Sequence, residues 1–268
     1  MHLDILINSI LILNFSVFCL ICFLHIEMKS YLNKTIFFFH IFFLIATNLI
    51  VYFFKLYSDS NNLTIISLLL TIIFLSIYLI LSIISNTFIR LRVIFLPFFL
   101  ILLFFFLVSN SFYNSSNSEL ELFNNKLLIV HILSSLLSYS MLTISSVTSL
   151  SVFVQERILK NQTYNKYFSS LLPSIYEGEL LTIRFLILTL ILLIVSLISG
   201  YFFYVGENSD INYFFNEKSL LSLISTIIII FLLVLRFFYG LTTKTSFKII
   251  LLCYFFINFS YFGIKLLN

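Results

Sequence analysis

The chain has 268 residues, of which 61% are hydrophobic and 10% are charged, with a formal net charge of +4 and a mean hydropathy of +1.13. Soluble domains carry roughly 25% charged residues, so this composition excludes a soluble domain of any size. With five Gly and two Pro, the chain has no Gly-rich phosphate-binding loop. It contains no Trp, so Tyr must supply any aromatic belt at a membrane surface. The composition predicts an integral membrane protein.

Apolar stretches of about 20 residues, the length that crosses a bilayer, follow one another along the chain. They must be helical, because lipid cannot satisfy open backbone polar groups. The predicted fold class is therefore all-α: a polytopic transmembrane helix bundle of about eight spans, in a single membrane domain over residues 1–268. The predicted spans are Asp4–His25, Thr35–Tyr57, Leu63–Ser85, Ile94–Phe112, Leu127–Val154, Leu180–Tyr204, Ser219–Phe237 and Phe247–Leu267.

The first predicted span does not have the pattern of a cleaved signal peptide. It has no basic n-region, its apolar run is too long, and no small-x-small cleavage site follows. We expect it to stay as a membrane anchor.

The basic residues are distributed unevenly between the two sides of these spans. Eleven are on the side of the odd-numbered connections, namely Lys29, Lys34, Arg90, Arg92, Arg157, Lys160, Lys166, Arg184, Arg236, Lys244 and Lys248. The opposite side has four, namely Lys55, Lys126, Lys218 and Lys265. The positive-inside rule therefore predicts cytoplasmic odd-numbered loops and places both termini outside.

The fifth predicted span carries a histidine and a run of serines. His131 lies about one turn into this span, near its outer end, and Ser135 and Ser138 follow at helical spacing on roughly the same face. A small, polar face allows another helix or a flat cofactor to approach closely. Neutral imidazole is a common haem-iron ligand. The alternative is a histidine at the membrane interface, bonded to water or serine within a helix bundle.

Other polar groups in the spans give weaker signals. Cys19, Cys22 and His25 form C-x-x-C-x-x-H, which is not the C-x-x-C-H haem attachment signal, and buried thiols behave as small apolar groups. Arg184 lies close enough to a membrane surface to extend its cation to water.

Asparagines in three spans, Asn14, Asn48 and Asn258, are candidates for hydrogen bonds between helices. All eleven acidic residues lie in loops or near span ends. This placement argues against an ion-driven transporter that needs a carboxylate at the membrane midplane.

The second half of the chain resembles the cytochrome c assembly family of CcsA type, and most closely its short HemX/YpjD-like branch. The similarity covers residues 127–267 and depends on the order and spacing of several segments. These are His131-Ile132-Leu133-Ser134-Ser135-Leu136-Leu137-Ser138-Tyr139-Ser140, Gln155-Glu156-Arg157 with Lys160, Leu172-Pro173 with Glu179 and Arg184, Leu188-Thr189-Leu190, Ser199-Gly200, Lys218-Ser219 with Ser222, and Tyr261-Phe262-Gly263.

The resemblance implies a non-enzymatic protein of the bacterial inner (plasma) membrane that moves or presents haem during c-type cytochrome biogenesis. It implies haem as cofactor and assigns an outward-side axial ligand to His131. Ser135 and Ser138 would be the face that a macrocycle approaches. The expected surroundings and partners are the lipid bilayer and other cytochrome c biogenesis membrane proteins, with no nucleic acid.

Two other interpretations remain open. The Trp-rich haem-presenting segment of larger members has no counterpart in a chain without Trp, and the last two predicted spans contain no His for a second outer ligand. The protein would then be an accessory or regulatory membrane protein without haem. The third interpretation is a small-solute or metal-ion transporter. The serines of the fifth predicted span and the three asparagines would then line the path of the solute.

Overall fold

A computed structural model of the chain describes residues 2–23, 31–57, 62–111, 125–160, 172–207 and 217–260. These residues contain no strand, so the all-α fold class is confirmed for them. Their helices are α1 (His2–Phe23), α2 (Tyr31–Tyr57), α3 (Asn62–Ile84), α4 (Asn86–Arg90), α5 (Arg92–Ser111), α6 (Lys126–Lys160), α7 (Ile175–Glu207), α8 (Glu217–Tyr239) and α9 (Thr243–Asn258).

Six of these helices, α2, α3, α5, α6, α7 and α8, are long and apolar enough to cross a membrane. They confirm six of the eight predicted spans by length and composition. The first predicted span contains the shorter apolar stretch Asn8–Cys22. The eighth coincides with the 16-residue α9, and residues 261–268 lie outside the described part of the chain. The count of eight and the outside placement of both termini stay predictions.

Backbone contacts divide the chain into two compact units, Met1–Asn117 and Ser118–Asn268. The first unit contains α1 to α5 and the second contains α6 to α9. The single domain over residues 1–268 stays a prediction.

Aromatic side chains fill the core of the first unit. Tyr78 on α3 lies 4.5 Å from Phe95 on α5, measured between ring centroids, and Phe99 lies 5.0 Å from Phe74. The hydroxyl of Tyr78 donates to the carbonyl of Phe88 at 3.2 Å. A buried Tyr needs such a partner for its polar end, so this bond ties α4 to the aromatic core.

Arg92 was predicted to lie in a basic loop, but it begins α5 and is only 1% exposed. Its Nε donates to the carbonyl of Cys22 at 3.0 Å, and its Nη1 donates to that of Ile89 at 3.1 Å. Cys22 belongs to the last turn of α1, where carbonyls have no partner within the helix. The guanidinium therefore caps the end of α1, which explains why it is buried.

Helices α6 and α7 form the most extensive pair of the second unit and run antiparallel. His131 meets Ser196 near one end, and Thr148 meets Thr182 toward the other. Small residues recur every seven positions on α7, at Thr182, Thr189 and Ser196. All three are at most 5% exposed. A heptad stripe of small side chains lets two helices pack closely along a left-handed seam.

Helices α8 and α9 complete the second unit. Tyr139 on α6 donates to Asn258 on α9, and Phe153 stacks on Phe247 at 5.1 Å. Arg236, in the last turn of α8, forms an ion pair with Glu179 on α7 at 3.1 Å. The last two of these contacts lie at one end of the unit, where the end of α6, the start of α7, the end of α8 and the start of α9 meet. We call it the basic end. His131 lies toward the opposite end.

Candidate functional site

His131 occupies the second turn of α6 and is partly buried. Its Nδ1 lies 2.7 Å from the backbone carbonyl oxygen of Ser196 on α7 and 3.3 Å from the Ser196 hydroxyl. A carbonyl oxygen can only accept a hydrogen bond, so Nδ1 carries the proton in this arrangement. Nε2 is then the ring nitrogen with a free lone pair.

This arrangement is the one that histidine ligands of metals adopt in proteins. The nitrogen that does not bind the metal donates to a carbonyl or carboxylate, which fixes the tautomer and the orientation of the ring. The helix surface beside His131 is apolar and exposed. Leu127 is 43% exposed and Val130 is 46% exposed. An apolar surface next to a neutral imidazole suits a haem, whose iron needs only one or two axial ligands.

A metal ion bound by protein ligands alone needs several of them close together. Within the described residues, no three His, Cys, Asp or Glu side chains come together in a group that could hold one. The cysteines of the first span are free thiols, with Cys22 fully buried and Cys19 partly buried. His25, the third member of that motif, lies outside the described residues.

Ser135 and Ser138 are close to His131 along α6 but are not open to the surroundings. Ser135 is 8% exposed and Ser138 is 0% exposed. The Ser135 hydroxyl donates to the Ile132 carbonyl at 2.8 Å, and that of Ser138 donates to the Ser135 carbonyl at 2.7 Å. These hydroxyls are satisfied by their own helix. A small, polar face can be covered by another helix or by a flat cofactor. In this structure, protein covers the face that contains Ser135 and Ser138.

Two of the three predicted interhelical asparagines, Asn48 and Asn258, have partners on another helix, and the role of Asn14 stays a prediction. Asn48 on α2 accepts a hydrogen bond from Thr71 on α3 at 3.3 Å, and Asn258 accepts one from Tyr139 at 2.6 Å. Arg184 is exposed on the surface of α7, and the extension of its cation to water stays a prediction.

His40, in the first unit, is a second histidine of interest that sequence reasoning left without a role. Its ring stacks on Phe18 with centroids 6.2 Å apart, and its Nε2 is buried without a hydrogen-bond partner. The sequence shows only a His within a Phe-rich helix, with no spacing pattern that would indicate this geometry.

Comparison with known proteins gives one match. The sequence profile of the family described as Cytochrome C assembly protein matches residues 61–268, so the similarity extends beyond residues 127–267 into the first unit. No curated protein and no solved structure matches the chain. The profile covers well over half of the 268 residues. The chain belongs to the cytochrome c assembly protein family.

Proposed function

We propose that this membrane protein handles haem during the assembly of c-type cytochromes, with Nε2 of His131 as an axial ligand of the iron. The hydrogen bond from Nδ1 of His131 to the Ser196 carbonyl carries the proposal, because it leaves Nε2 unprotonated for a metal. Membership of the cytochrome c assembly family supports the process. Bound haem would supply an iron centre with redox chemistry tuned by its ligands.

The residues around His131 have distinct roles in this proposal. The Ser196 acceptor is a backbone carbonyl within the 33-residue α7, so it holds the ring in place independently of side-chain rotation. Ser135 and Ser138 keep the α6 surface small where helices pack and do not touch the macrocycle. A haem would approach His131 from the apolar flank near Leu127 and Val130. A second ligand would come from another biogenesis protein in the bilayer, or the iron would stay five-coordinate.

The distribution of charge supports an orientation for this site. Arg157, Lys160, Lys244 and Lys248 are exposed at the basic end of the second unit. His131 lies toward the opposite end. We propose that the basic end faces the cytoplasm, as the positive-inside rule predicts, and that His131 is near the outer face of the bacterial inner membrane.

The test is the visible absorption spectrum of the protein purified in mild detergent, loaded with hemin, oxidised in air and then reduced with dithionite. We expect a Soret band that shifts on reduction, at about one haem per chain. His131→Ala should remove or shift this band, and added imidazole should restore it. Ser134→Ala, three residues away on the same helix and 6% exposed, is the control and should leave the spectrum unchanged. An identical Soret band in His131→Ala would overturn the assignment.

A second function is favoured by the covered serine face. Since Ser138 is fully buried against protein, the fold itself does not require a cofactor at this position. An accessory membrane protein without haem would use the same fold to bind another membrane protein. Deleting its gene would then leave cellular c-type cytochromes at their normal level, whereas the haem-handling function predicts that they fall.

A further inference from the structure

The basic end of the second unit contains a small polar cavity between α6, α7, α8 and α9. It has room for about one water-sized group and is open on one side. Glu179, Arg236, Thr243 and Ser246 contribute the polar groups that matter here. It lies at the opposite end of the unit from His131, so nothing in the proposed haem site uses it.

Two hydroxyl groups at this cavity have no hydrogen-bond partner. Ser246 is 2% exposed and its Oγ is buried and unpaired. Thr243 is partly exposed, but its Oγ1 atom is likewise buried and unpaired. Many other buried hydroxyls in the unit donate to their own helix, as Ser225 does to Ser222 at 2.7 Å. The Oγ of Ser145 is also unpaired, but Ser145 does not line this cavity. A buried hydroxyl without a protein partner is rare in folded proteins. Because Ser246 and Thr243 line this cavity, their hydroxyls are available to a polar group that enters it.

The backbone around these hydroxyls adds further donors. Helix α9 begins at Thr243, and its N-cap residue Thr242 makes no side-chain capping bond. The first bond at this helix start runs from the Ser246 N–H to the Thr242 carbonyl at 3.0 Å. The N–H groups that precede it have no partner within the helix. Such a terminus carries partial positive charge and favours an anion.

Arg236 gives the cavity a cation that is already oriented. Its Nη2 is 3.1 Å from Oε2 of Glu179, and a guanidinium has further N–H donors beyond the one used. The side chain of Arg236 is 13% exposed, so its charge is held at the cavity wall. The negative charge of Glu179 repels an incoming anion and lowers the affinity of the cavity for it. Removing this charge by mutation should therefore raise that affinity.

We propose that this cavity binds an oxygen of a phosphate group. The donors are two hydroxyls, the N-terminus of α9 and Arg236, and exposed Lys244 and Lys248 lie on the first turns of the same helix. The cavity lies at the ends of membrane-spanning helices, where lipid headgroups are found. The phosphate of an anionic lipid and free inorganic phosphate share this chemistry, so the experiment separates the two sources.

The experiment follows thermal unfolding of the full chain in detergent with a thiol-reactive dye, since Cys22 and Cys253 are fully buried in the folded protein. Phosphatidylglycerol is compared with monogalactosyldiacylglycerol, which has no phosphate, and with inorganic phosphate. If the cavity binds a lipid phosphate, phosphatidylglycerol should raise the Tm and inorganic phosphate should not. If a free anion suffices, inorganic phosphate should also raise the Tm.

Matched variants locate the effect. Ser246→Ala should weaken phosphate binding by at least about tenfold, the usual effect of losing a hydrogen bond to a charged group. Ser225→Ala, equally buried but bonded to its own helix, should bind as the wild type does. Glu179→Gln should bind more tightly, because it removes the opposing charge. If Ser246→Ala does not fold, Thr243→Val replaces it.

The proposal fails if neither phosphate source raises the Tm of the wild type, which would mean that the cavity holds only water. It also fails if the phosphate compound raises the Tm of Ser246→Ala and Ser225→Ala equally, since the phosphate would then bind elsewhere. Tighter binding by Glu179→Gln together with weaker binding by Ser246→Ala is the pattern that a purely structural role cannot produce. This result is independent of the haem spectrum, so either proposal can fail alone.

Discussion

The hydroxyl of Tyr139 on α6 donates a 2.6 Å hydrogen bond to the side-chain oxygen of Asn258 on α9. Both residues are at most 7% exposed. The Asn258 amide nitrogen donates in turn to the carbonyl of Tyr254 at 2.7 Å. The contact therefore joins two helices that are far apart in sequence and fixes the rotation of α9 against α6.

Replacing Tyr139 with Phe should destabilise the second unit. The substitution keeps the ring but leaves the Asn258 oxygen without its donor, and interhelical hydrogen bonds in membranes are worth roughly 1 kcal/mol. We expect a lower Tm in detergent. Tyr176→Phe is the control, because Tyr176 is 78% exposed and should change the Tm little. An equal effect of the two substitutions would show that the Tyr139 hydroxyl contributes nothing.

Arg92→Met should loosen the end of α1. It removes the donors to the carbonyls of Cys22 and Ile89, and each buried acceptor left unpaired costs about 1–3 kcal/mol. Cys22 is fully buried, so its rate of modification by a thiol reagent in the folded protein reports this change. We expect faster modification in Arg92→Met.

Arg90→Met is the matched control for this change. Arg90 lies two positions earlier and is exposed, so its loss should leave the Cys22 reaction rate as it is in the wild type. Equal rates in Arg92→Met and the wild type would contradict a capping role for Arg92.

Hydropathy alone predicts the parts of this fold that depend on a continuous apolar surface. The six long helices follow from runs that can satisfy their backbone only as helices. The interhelical role of Asn48 and Asn258 follows as well, because a polar amide in an apolar helix needs a partner. Their partners, Thr71 and Tyr139, are not predictable, since hydropathy does not tell which helix faces meet.

The sequence does not predict the partners of charged residues near the helix ends. Arg92 looks like any loop cation, and its acceptor, Cys22, is 70 residues away. Glu179 fits the favourable site for a carboxylate near a helix N-terminus, yet its partner is Arg236 on another helix. A salt bridge or a cap of this kind depends on tertiary packing. At the candidate site, the sequence indicates His131 as a candidate ligand but does not indicate that the Ser196 carbonyl accepts its hydrogen bond.

Gly178→Ala should destabilise the α6–α7 pair. A Cβ at Gly178 would lie far inside van der Waals contact of Cγ2 of Val152 on the facing helix, and overpacking of this kind costs about 1–3 kcal/mol. Gly206→Ala is the control, because nothing lies within 4 Å of its added Cβ. It should be neutral or stabilising, since Ala is the better helix former.

The double variant Gly178→Ala/Val152→Ala tests whether this contact is the cause. Val152→Ala removes the methyl group that the new Cβ would meet, so the Tm lost in Gly178→Ala should be partly regained in the double variant. Additive losses of Tm would mean that Gly178 is required for another reason.

Labelling at the two ends of α6 should reveal the orientation of the second unit. Lys126 is exposed at the start of this helix, and the side chain of Lys160 is 72% exposed at its end. The positive-inside rule predicts that a membrane-impermeant maleimide labels Lys126→Cys in intact cells and labels Lys160→Cys only after lysis. Cys19→Ser serves as the background, since Cys22 and Cys253 are fully buried. The reverse pattern would place the basic end outside and His131 near the cytoplasm, so haem would be presented from the wrong side for cytochrome c assembly.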